Sequence, residues 1–199
     1  MSQFFTIKEK SEGIYKEKGS KFISFAIPVS SHDDVKSQLS LIKKEFHDAR
    51  HHCYAYILGL SKQELKSNDD GEPSHSAGDP ILGQIKSYKL TNVLVVVVRY
   101  FGGTKLGVGG LIHAYKTAAS EALSISKKLE VFEEATFEFF FDYSILSNVE
   151  RLISELDINV IDRDFREECR IAGKIRKDLI QELSNKTKDL YNLKLSITQ

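Results

Sequence analysis

Residues 92–115 read NVLVVVVRYFGGTKLGVGGLIHAY. Val93 to Val98 is apolar on both alternating faces, so a strand here is covered on both sides and sits centrally in a sheet. The run ends in Arg99-Tyr100-Phe101, passes through Gly102, Gly103, Gly107, Gly109 and Gly110, and gives way to a helical pattern from about Leu111 to Ser126. Leu111, Tyr115, Ala118, Ala122 and Ile125 fall on one inner face, and the alanines permit close packing on a sheet. Free N–H groups at a helix start favour anions, and Lys105 adds a point charge. Glycine that merely lets the backbone turn and approach closely explains the same composition equally well. The two nucleotide signatures fail. No Lys follows the second glycine as a P-loop requires, and Ile112 holds the last glycine position of a G-x-G-x-x-G match begun at Gly107.

Working outward, Phe4–Ile7, Gly13–Tyr15 and Lys21–Ile27 read as strands, the last ended by Pro28. Ser31 and Asp34 have capping-box spacing, and Val35, Leu39, Ile42 and Phe46 form one helical face. Cys53–Leu58 reads as a strand. Residues 59–83 read as a long polar connection, a length that usually marks function or flexibility. Lys127–Glu134 reads as a charged hinge. Beyond it the pattern is βαββαβ, with strands 135–142, 158–163, 167–173 and 190–197 and helices 145–156 and 176–187. The chain is therefore α+β, with domains at 1–132 and 133–199.

Bulk properties narrow the function classes. No apolar run approaches the ~20 residues that span a bilayer, and Met1-Ser2-Gln3-Phe4-Phe5 has no secretory signal pattern. Cys53 and Cys169 read as reduced thiols of a cytosolic protein. Net charge is zero, but residues 1–132 hold 18 Lys+Arg against 14 Asp+Glu, and the remainder is acidic. That imbalance permits RNA contact without arguing for it.

The segment NDDGEPSHSAGDPIL, residues 68–82, holds Asp69, Asp70 and Glu72 around Gly71. It lacks the alternating oxygen ligands of a calcium loop, and a Pro- and Asx-shaped turn accounts for it. Arg50, His51 and His52 make a positive strand edge rather than a metal set, since neighbouring strand residues point to opposite faces. Arg99 followed by two aromatics, Tyr100 and Phe101, at a strand end could contact phosphate and stack on a base. Alternatively, Arg99 pairs with Asp69 or Asp70 and Phe101 enters the core. No nucleophile set, metal centre or cofactor is apparent.

Four motifs occur in order: GSKFIS, HDARHHCYAY, NDDGEPSHSAGDPIL and the stretch quoted first. Together they resemble the IMPACT family, in its bacterial YigZ-like branch. The resemblance implies an N-terminal left-handed βαβ domain like domain IV of elongation factor G, and a C-terminal ferredoxin-like domain like its domain V. Eukaryotic members act in translational control, which implies a translation-linked binding protein contacting RNA, the ribosome or a translation-associated protein. The residues expected to bind are Arg50, His52, Asp69, Asp70, Gly71, Glu72, Arg99, Tyr100, Gly102, Gly103, Lys105 and Gly107. The alternatives are a hydrolase using the 69–72 acids with His52, and a protein-interaction module. At His75-Ser76 the family usually has Gly-Thr, and at Asp79 a basic residue.

Overall fold

The computed structural model describes residues 4–166 and 168–198. The expectations for residues 1–3, and the strand start at Glu167, lie outside the described residues. The chain divides into two compact units, Ser2–Val131 and Phe132–Gln199.

In the first unit the valine run forms β6 (Val93–Tyr100), in the middle of a sheet ordered β2 (Ser11–Glu17), β3 (Ser20–Pro28), β6, β4 (His51–Leu58), β5 (Glu64–Asn68). All neighbouring pairs are antiparallel. Both faces of β6 are buried. Leu94, Val96 and Val98 pack with Val35 and Ile42 of α1 (His32–Glu45). Val93, Val95 and Val97 pack with Ile81 and Ile85 of α2 (Gly78–Ser87) and with Leu111, Ala118 and Ala122 of α3 (Gly107–Ser124). The Ser31 hydroxyl caps α1 by accepting from the Asp34 N–H at 3.1 Å. The Asp34 carboxylate reaches back one residue further, to the N–H and hydroxyl of Ser30.

Four expectations need correction. The 59–83 connection contains β5 and the start of α2. β5 is a polar edge strand with little apolar alternation, and Pro80 stands in the first turn of α2, where its missing N–H costs nothing. Helix α3 begins at Gly107 rather than Leu111. Ile125 lies beyond its last residue and is 65% exposed, so it is no part of the inner face. The charged hinge is partly a strand, β7 (Lys128–Val131), paired antiparallel with β1 (Phe4–Ile7).

The second unit follows the element order read from the sequence: β8 (Glu134–Phe141), α4 (Leu146–Glu155), β9 (Asn159–Asp164), β10 (Cys169–Arg176), α5 (Ile180–Lys188), β11 (Leu193–Thr198). Its antiparallel sheet runs β11-β8-β10-β9. Phe137, Phe139 and Phe141 share one face of β8 and pack with Val149 and Leu183. Among the described residues no helix is long and apolar enough to cross a membrane.

Candidate functional site

β6 delivers Arg99, Tyr100 and Phe101 to one end of its sheet. The 69–72 loop, the start of β4 and the first turn of α3 meet there around a cleft of about 690 Å³. Arg50, Glu72, Arg99, Tyr100, Lys105 and Gly107 all line it, joined by His51, Asp48, Phe101 and Val108.

The acids order this end of the sheet. Asp69 Oδ1 accepts from the N–H groups of Ala77 and Gly78 at 2.9 and 2.8 Å, and Oδ2 accepts from the His75 N–H at 2.9 Å. Ala77, the residue before α2, supplies no side-chain cap, so Asp69 caps that helix from eight residues upstream. Its carbonyl also accepts from the Glu72 N–H. Asp70 Oδ2 accepts from the His52 N–H at 2.7 Å, and the Asp70 carbonyl accepts from His51 Nδ1 at 2.9 Å. A carbonyl can only accept, so Nδ1 carries the proton and Nε2 holds the lone pair of neutral His51. Asp70 and Gly71 adopt φ of +41° and +88°, the left-handed region that Asp tolerates and Gly favours.

Arg99 pairs with Glu72 rather than with Asp69 or Asp70. Nη1 donates to Glu72 Oε1 at 2.6 Å, and the Tyr115 hydroxyl donates to the same oxygen at 2.8 Å. The Arg99 and Glu72 side chains are both nearly sealed from solvent. The Asp69 and Asp70 carboxylates instead hold backbone amides. Cys53 lies 3.3 Å from the Tyr115 hydroxyl. Burial pushes the Cys53 thiol far above its usual range and outweighs the opposing effect of that hydroxyl, so the thiol stays protonated and inert.

Other expected residues stand elsewhere. His52 is buried, with Nε2 3.0 Å from the Phe46 carbonyl, and it does not line the cleft; its neighbour His51 does. The 69–72 acids and His52 thus do not converge on open space as a hydrolase would need. A Cβ on Gly102 would stand 1.9 Å from the Gly19 carbonyl carbon, so this glycine serves backbone packing. Gly103 has φ +87° and open space around it. The Tyr100 hydroxyl donates to Asp48 Oδ1 at 2.7 Å. That bond holds the Asp48 carboxyl below the usual carboxylate range and raises the Tyr100 phenol. Phe101 does not enter the core and is 55% exposed. Alternation along β6 was the available signal for it: Phe101 follows the parity of Val97 and Arg99 but stands one residue past the strand.

Among the described residues no cluster of three or more His, Cys, Asp or Glu is placed to hold a metal ion. Arg50 and Lys105 have no ion-pair partner among the described residues, while the cleft's two carboxylates are engaged by Arg99 and Tyr100. The cleft therefore presents uncompensated positive charge, backbone donors and one open aromatic ring.

Residues 18–123 match the family described as the Impact N-terminal domain. The chain is 37% identical over 155 residues to the IMPACT family member YvyE of Bacillus subtilis, covering 78% of this chain and 71% of that protein. It is 31% identical over 176 residues to the IMPACT family member YigZ of Escherichia coli, covering 86% and 85%. A crystal structure described only as that of a hypothetical protein superposes with a TM-score of 0.75 at 28% identity, over 98% of this chain and 97% of that one.

Proposed function

The chain belongs to the IMPACT family, and on that premise we propose that it is a translation-linked binding protein of the cytoplasm whose cleft contacts RNA, free or within the ribosome. No reaction is assigned to it. The observation that carries the reading is the pair Arg50 and Lys105, both exposed and without a carboxylate partner among the described residues, on the same cleft as Arg99 and the start of α3. Translation enters through the four-motif resemblance, whose eukaryotic members act in translational control. The N-terminal unit is proposed to share the left-handed βαβ fold of domain IV of elongation factor G. The C-terminal unit is proposed to be ferredoxin-like, which its βαββαβ order and β11-β8-β10-β9 sheet support.

The test is co-sedimentation with ribosomal subunits, and binding to single-stranded RNA, at low salt. The variant Arg50→Ala/Lys105→Ala should bind more weakly. Its logarithmic salt dependence should be shallower by roughly 0.7 for each phosphate it no longer neutralises. Wild-type binding by this variant would sink the assignment. Association that survives nuclease treatment would point instead to a protein partner.

A further inference from the structure

The cleft is richer than a surface that only tracks a nucleic-acid backbone needs to be. Leu106, Val108, Leu111 and Pro73 give it an apolar side. Its volume of about 690 Å³ falls among small-ligand sites, which run from roughly 300 to 1,000 Å³ and combine an apolar lining with a few convergent polar groups.

Three features converge there. The first is the start of α3. Its first turn contains no acidic residue and receives no side-chain cap, and its leading N–H groups have no partner within the helix. Gly107 and Val108 of that turn line the cleft. The second is Arg99. It is 7% exposed and lines the cleft, and its Nε–H has no partner among the described residues although Nη1 is bound to Glu72. A buried guanidinium N–H without an acceptor is costly, and an anion seated beside it would relieve that cost. The third is Phe101. The Arg99 guanidinium lies 5.7 Å from its ring centroid, and more than half of the residue remains open. An aromatic ring held in this way offers a free face to a second flat ring.

We propose that this cleft holds one phosphorylated nucleotide unit. Its phosphate sits at the first turn of α3 against the Arg99 guanidinium, with Lys105 and Arg50, and its base lies against Phe101. The site does not use the P-loop or the G-x-G-x-x-G turn, both of which the sequence excludes. The proposal deepens the RNA reading by naming the part of the ligand that is gripped. A free mononucleotide and the phosphorylated end of an RNA share this chemistry.

Calorimetric titration of the full chain at low salt tests it, with inorganic phosphate, AMP, UMP, adenosine, and short RNAs bearing either a 5′-phosphate or a 5′-hydroxyl. The decisive variant is Gly109→Asp. Nothing lies within 4 Å of the position a Cβ would take there, and a carboxylate in a helix's first turn stabilises the helix. The variant therefore folds with an unchanged or raised melting temperature while its own charge opposes the ligand phosphate. AMP affinity should fall by about tenfold or more in Gly109→Asp and in Lys105→Ala. In Phe101→Ala it should fall several-fold while the response to inorganic phosphate is kept. Binding of AMP and UMP identifies a free nucleotide as a source, and binding confined to the 5′-phosphorylated RNA identifies the RNA end; both support the proposal. Adenosine binding as tightly as AMP, or wild-type AMP affinity in a folded Gly109→Asp, would overturn it. If RNA binds through Arg50 and Lys105 while phosphate and AMP neither bind nor compete, this proposal falls and the RNA reading stands. If AMP binds and RNA does not, the reverse holds.

Discussion

Arg99 and Glu72 are 27 residues apart in the chain and joined by a 2.6 Å bond between nearly sealed side chains. The pair fastens the 69–72 loop to the end of the central strand. Breaking such a pair leaves a buried charge uncompensated. Glu72→Ala should cost ~3–5 kcal/mol of stability in urea unfolding. Glu72→Leu with Arg99→Met removes both charges and should cost clearly less. Equal losses from the two variants would show that the pair is not sealed as described.

Asp69 holds three backbone amides around the entry to α2. Asp69→Ala orphans all three and should cost about 2–3 kcal/mol, with Asp69→Asn intermediate. The effect should be local. Amide hydrogen exchange should accelerate first through residues 75–85, and uniform acceleration would count against the capping role.

Two glycines of one stretch should answer oppositely to alanine. At Gly102 the new Cβ would fall 1.9 Å from the Gly19 carbonyl carbon and 2.2 Å from the Ser20 nitrogen, so Gly102→Ala should cost about 3 kcal/mol or prevent folding. At Gly109 there is open space within a helix, so Gly109→Ala should gain about 0.5–1 kcal/mol. Thermal unfolding of the two variants separates close backbone approach from mere glycine richness.

His75 and Asp79 bind each other. His75 Nδ1 lies 2.6 Å from Asp79 Oδ2, and Asp79 Oδ1 accepts from the Ser67 hydroxyl at 2.7 Å. The bond to Asp79 raises the His75 pKa above its ordinary 6.5. The Ser67 hydroxyl and then His75 lower the Asp79 pKa below its ordinary 3.8. A raised histidine contributes stability that is full below its unfolded value and is lost as pH rises through its folded value. A lowered carboxylate contributes stability that is full above its unfolded value and is lost as pH falls through its folded value. The pair therefore acts fully between the two ordinary values and fades outside them. In an NMR titration His75 should have a midpoint above 6.5, and Asp79→Asn should return it towards that value. An unmoved midpoint in Asp79→Asn would refute the pairing. The two residues form a self-consistent surface unit, so Asp79 in the first turn of α2 is not a free negative charge.

The central strand was legible because Val93–Val98 is apolar at every position, a pattern that only burial on both faces rewards. Helix α1 was legible because Ser31 announces its own start. Helix α2 was not, because its cap comes from Asp69, and Gly78-Asp79-Pro80 by themselves look like a turn. The first turn of α3 was hidden by glycines that carry no helical preference. Strand β5 was hidden because an edge strand with exposed side chains needs no apolar alternation. At the site, sequence grouped the right segments but not the right pairs. Asp69 and Asp70 were the expected partners of Arg99, while only the path of the loop shows that Glu72 reaches it. The choice between His51 and His52 likewise depended on which face of β4 meets the cleft.

Phe4 stands opposite Val131, and Ile7 opposite Lys128. The two ends of the first unit are thus neighbours, stitched together across more than a hundred residues of intervening chain. During synthesis that seam has no partner strand until every other strand of the unit has left the ribosomal tunnel. It also means that the order in which the segments are strung is not what holds them. A circular permutant joined across this seam and reopened in the exposed stretch 61–63 would keep each strand beside its present neighbour.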